Sequence, residues 1–171
     1  MATATLFDWT VDVSPATTSA FQAASYYPAE RSCCPVCAIF VEAVERPVLP
    51  AVLLDFLRAA GANPLNPQEV WGAPEGGFLN GWWVIGGVLV SGPEAASEGS
   101  HFAEPLPGLH VWATHTRSMR RPDGLEHADL LQVEFLWNDV AVTELDREAW
   151  PTRDCSARNA EPPHMDDRPL R

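Results

Sequence analysis

The run GWWVIGGVLV, residues 81–90, constrains this chain more than any other segment. Its β-branched and aromatic residues suit a strand, and successive strand side chains point to opposite faces, so Trp82 and Trp83 cannot share a side. One indole must enter a core. The other must lie on the far face, either under a helix or toward a partner. Gly86 and Gly87 inside the run point to a bulge or to another backbone or ring packing closely. Asn80 and Gly81, at its start, read as a turn.

Two later segments alternate in the same way. In residues 109–117, Leu109, Val111, Ala113 and His115 face one side and His110, Trp112, Thr114 and Thr116 the other. In residues 129–142, Leu131, Val133, Phe135 and Trp137 share a face. Separated by Gly, Pro and Asp clusters, these three strands read as an antiparallel meander. Residues 6–13, LFDWTVDV, alternate too and predict a single strand that joins it.

The stretch between is helical in pattern. Ser32 suits an N-cap and Pro35 a first helical turn. Val36, Phe40 and Val44, with Cys37 and Val41 beside them, then form one apolar stripe that Pro47 stops. A second helix is predicted from about Pro50 to Ala60, with Val52, Leu53, Phe56, Leu57 and Ala60 inward and Gly61 as a left-handed cap. Asn66, Pro67 and Glu69 suggest a third, very short helix. Residues 14–31 read as a long loop. The expected architecture is α+β, an antiparallel sheet of about four strands packed against an N-terminal helical hairpin. One domain over residues 1–150 fits the length of 171 residues and the 46% apolar content. Residues 151–171, polar and Pro-rich, read as a flexible tail.

Charge narrows the partners. The formal net charge is −12, the wrong sign for a phosphate backbone or an anionic membrane. It suits a basic protein partner, although solubility alone would also explain it. All basic residues are Arg, a coding bias rather than a sign of anion recognition. No apolar run spans a bilayer, and Asp8 interrupts any leader-like segment, so a soluble cytoplasmic protein is expected.

Cys33, Cys34 and Cys37 carry the most conspicuous chemistry. Cys34 and Cys37 form C-x-x-C, a spacing shared by redox dithiols and half of a zinc site. A zinc site closed by His101, His110 or His115 is geometrically open, but no second ligand pair occurs and Cys155 lies in the tail. A redox site would want a strand before the motif. The alternative is a capped helix start, with Cys37 a small hydrophobe on the stripe. Glu134 could approach His110 if their strands pair, giving an acid/base couple. No G-x-S-x-G, phosphate loop or H-E-x-x-H occurs. Seven tryptophans remain to be placed, and an exposed one anchors an interface well.

The order CCPVCAIFVEAVERPVLPAVLLDFLRAAGANPLNPQEVW, GWWVIGGVLVSG and LLQVEFLWNDVAV resembles a family of small bacterial proteins that pair a cysteine-containing helical hairpin with a Gly-aromatic-aromatic strand and an L-Q-V-E-F strand. The resemblance spans roughly residues 26–145 and is to fold-like motifs. Such proteins are similar to acidic immunity proteins found beside toxins, and no known site residue carries over. The expectation is therefore a non-catalytic protein that binds another, basic protein, with Trp82, Trp83, His110 and Trp112 as candidate surface residues. The alternative is a zinc- or thiol-dependent enzyme centred on Cys33, Cys34 and Cys37. A small-molecule pocket between hairpin and sheet is a third reading.

Overall fold

The computed structural model describes residues 2–24, 35–46, 48–73, 77–93, 101–116 and 121–138. The chain is α+β with strand predominating. The ten elements among the described residues are β1 (Ala2–Leu6), β2 (Trp9–Val13), α1 (Pro15–Ala24), α2 (Pro35–Glu45), α3 (Ala51–Ala59), β3 (Glu69–Ala73), β4 (Phe78–Ser91), β5 (Ala103–Leu106), β6 (Leu109–His115) and β7 (Leu130–Trp137). The strands form one seven-stranded antiparallel sheet, ordered β1-β2-β4-β7-β6-β5, with β3 also paired to β4. The four-stranded sheet against a helical hairpin is thereby corrected. The predicted domain end and the tail at 151–171 lie outside the described residues.

The extra strands arise where local pattern misleads. LFDWTVDV is not one strand, because Leu6 pairs with Trp9 across a two-residue turn of Phe7 and Asp8. Phe7 takes φ 50° there, the positive value that tight hairpin turns demand. Residues 69–73 pair with 78–82 as β3 instead of forming a short helix. Asn80 and Gly81 lie inside β4 rather than in a turn. A Cβ on Gly81 would sit 2.8 Å from Cε1 of Phe135, so this glycine admits a core ring. The meander is corrected as well, since β7 lies between β4 and β6.

β4, at fourteen residues, organises the sheet. One edge pairs with β7, and the other is shared by β3 and β2. Its glycines are sites of close approach, as expected. A Cβ on Gly86 would meet Thr17 Cβ at 2.5 Å, and one on Gly87 would meet the Asp12 carbonyl oxygen at 2.7 Å. α1 occupies the room at Gly86, in a segment expected to be loop. Ser14 precedes it and Pro15 opens it, a start signal that the weakly apolar sequence after it obscures. The Thr18 hydroxyl donates to the Ser14 carbonyl at 3.2 Å and accepts from the Gly86 amide at 2.9 Å, which ties the helix to the sheet. Phe21 packs with Val84 and Leu130.

The main core lies on the other face. Leu79, Trp83 and Ile85 of β4, Val133 and Phe135 of β7 and Val111 of β6 are buried there with Phe40 of α2 and Leu53, Leu54, Phe56 and Leu57 of α3. Phe40 sits 5.9 Å from Trp83 and 6.2 Å from Phe135, ring centre to ring centre. α2 approaches β3 and α3 approaches β1, so the two helices spread over the sheet. Val52, expected inward, is half exposed, and Leu54 is buried in its stead. Gly61 does end the second helical segment at φ 82°. No helix among the described residues is long and apolar enough to cross a membrane.

Candidate functional site

The pleat of the sheet decides which side chains meet. On the face away from Phe40, strand register aligns Glu69, Trp82, Glu134 and Trp112 in one row across β3, β4, β7 and β6. The next row is Trp71, Asn80, Leu136 and His110. Carboxylate and indole thus alternate across four strands about 4.8 Å apart.

Half of this face is buried. Asn80, Trp112 and Glu134 are at most 6% exposed. The Glu134 carboxylate accepts from Asn80 Nδ2 at 3.0 Å and from Gln132 Nε2 at 2.7 Å. Two neighbouring polar atoms are without a partner among the described residues, Asn80 Oδ1 and Trp112 Nε1, a costly arrangement for buried groups. The other half is open. Trp71 is 48% exposed, and its ring meets Phe78 edge-on at 5.5 Å. Trp82 is half-buried, and its Nε1 donates to Glu69 Oε2 at 3.3 Å. Phe102, exposed, stacks on the His110 ring at 3.9 Å.

Asp12, Glu69 and Glu134 all point to this side, and among the described residues no strand carries an arginine. The described arginines are each bonded within their own segment. Arg46, just past α2, pairs with Glu42, and Arg58 pairs with Asp55 within α3, each at 2.8 Å. Arg121 donates to the carbonyls of Glu126 and Ala128 in its own loop.

The residues singled out from sequence separate in this frame. Trp83 belongs to the core, at 0% exposure, with Nε1 donating to the Pro64 carbonyl at 3.0 Å. Trp82, His110 and Trp112 lie on the outer face, although Trp112 is buried within it. Glu134 faces Trp112 and His110 faces Leu136, so the expected acid/base couple is a diagonal pair. The imidazole stacks on Phe102 and the carboxylate is held by two amides. Sequence reasoning missed Glu69, Trp71, Asn80 and Phe102. The first two sit in a segment read as helix, Asn80 in one read as a turn, and Phe102 outside any predicted element. Alternation of Glu69, Trp71 and Ala73 against Val70 and Gly72 was the signal available.

Cys33 and Cys34 lie outside the described residues. Cys37 is half-buried on α2 against the main core. Among the described residues no three His, Cys, Asp or Glu side chains come together as a metal site. Comparison with known protein families, curated proteins and solved structures found no match to this chain.

Proposed function

We propose that this chain is a non-catalytic cytoplasmic protein that binds a basic protein partner through the outer face of its sheet, and that the partner is a bacterial toxin which it neutralises. One observation carries the reading: Asp12 and Glu69 share that face with the exposed rings of Trp71 and Phe102, while each described arginine is bonded within its own segment. Carboxylates supply long-range attraction for a basic surface, and tryptophan supplies apolar contact area at low entropic cost. Neither requires a reaction.

The test is affinity capture from the source bacterium at low and at physiological salt, with the wild-type chain and with Trp71→Ala. A basic protein retained by the wild type, released by salt and lost with the variant supports the reading. A retained protein indifferent to both, or none at low salt, refutes it.

A further inference from the structure

Within the outer face, one quadrilateral of side chains has the composition of a cation site. Glu69 and Trp71 lie two residues apart on β3, and opposite them on β4 are Trp82 and Asn80. Strand geometry makes this frame about 5 by 7 Å. It contains a carboxylate, two indoles and an amide. Glu69 is exposed and Trp82 half-buried beside it, with the indole Nε1 on Glu69 Oε2 at 3.3 Å. None of the four side chains is basic.

Asn80 supplies the independent indication. It is 2% exposed, its Nδ2 donates to the Glu134 carboxylate at 3.0 Å, and its Oδ1 has no partner among the described residues. The amide cannot be turned round, because a carboxylate must receive the nitrogen. The orphan atom is therefore an acceptor, on a residue that the register sets between Trp71 and Leu136 in the row beside Glu69. A buried acceptor left unpaired calls for a donor. The group that brings donors, positive charge and a flat apolar surface together is a guanidinium. It binds carboxylate in a fork, stacks on indole faces and sheds water more readily than an ammonium.

We infer that Glu69, Trp71, Asn80 and Trp82 form a binding site for an arginine side chain of the partner. The inference rests on the protein-partner reading for the source of that arginine. Glu69 anchors the charge, the two indoles flank the plane, and Asn80 Oδ1 takes an N–H that no group among the described residues offers it.

The experiment uses tryptophan fluorescence to follow titration with an arginine homopeptide and with a lysine homopeptide of the same length, at low and physiological salt. The proteins are wild type, E69Q, W71A and D55N, the last a remote acidic residue on α3. Saturable binding of the arginine peptide is expected, several-fold tighter than the lysine peptide. About tenfold weakening is expected in E69Q, since a charge-assisted hydrogen bond is lost, with no change in D55N. E69Q is nearly isosteric at an exposed position, so it remains informative even if W71A folds poorly. Equal weakening in E69Q and D55N, equal affinity for both peptides, or no saturable binding at low salt would each overturn the site. The peptide assay needs no partner. Arginine binding with no captured protein would count against the partner reading alone. A captured protein that salt releases but that E69Q and W71A hold as tightly as the wild type would count against the site alone.

Discussion

Truncating Phe40 to alanine tests whether α2 is fastened to the sheet as its packing implies. The ring is fully buried and contacts two others, Trp83 at 5.9 Å and Phe135 at 6.2 Å between centres. Removing roughly 100 Å² of buried apolar area costs about 2.5 kcal/mol at ~25 cal/mol per Å². The cavity left behind and the loss of two ring contacts raise this to about 4 kcal/mol. Against a typical stability of roughly 5–15 kcal/mol, that is a large share. Urea unfolding followed by far-ultraviolet circular dichroism should show a lower midpoint at unchanged slope, and the melting temperature should fall by about 8–16 °C. A double-mutant cycle with Phe40→Leu and Phe135→Leu should return coupling of about 1 kcal/mol. A loss below roughly 1.5 kcal/mol for Phe40→Ala, outside the range for a packed aromatic, would refute the reasoning and detach α2, with Cys37, from the core.

Three further outcomes follow from particular contacts. Gly86→Ala drives a methyl to 2.5 Å from Thr17 Cβ, so α1 must shift at a cost of about 1–3 kcal/mol; an unchanged melting temperature would show that α1 does not rest there. Thr18→Val strands the buried Gly86 amide that its hydroxyl accepts at 2.9 Å, costing about 1–3 kcal/mol in urea unfolding, while Thr18→Ser keeps the bond. The Glu126 carboxylate accepts from the Gly124 amide at 2.9 Å, and its own backbone amide adds to the effect, holding its pKa below the usual glutamate value. A lowered folded-state pKa means that any contribution is present above the unfolded value and is lost as pH falls through the folded one. A carbon-detected NMR titration should place its midpoint below that of a free glutamate, and a midpoint at the ordinary value would contradict this.

Much of the secondary structure was readable because it is determined by local periodicity. The strand face of Leu131, Val133, Phe135 and Trp137 and the helix stripe of Phe40 and Val44 need only their own spacing to declare which side is dry. Gly61 declared a left-handed cap for the same reason. The candidate site was read in part. Trp82, His110 and Trp112 were named, but their partners Glu69, Trp71 and Asn80 were hidden in segments whose local signals pointed elsewhere. Asn66, Pro67 and Glu69 spell a helix start, yet the edge of β4 offers residues 69–73 a ladder of hydrogen bonds that a five-residue helix could not match.

By itself the sequence determined that residues 82–90, 109–115 and 130–137 suit strands, that Trp82 and Trp83 part company, and that the chain is acidic. These follow from the two-residue period of a strand and from composition, which no tertiary contact can change. Only the tertiary structure decided which tryptophan became core, that β7 lies between β4 and β6, and that Glu69, Trp71, Asn80 and Trp82 meet. Those outcomes depend on pairing between residues distant in sequence. The register and order of such pairings are set by which face gains cover from Phe40 and its neighbours, a quantity that no single segment contains.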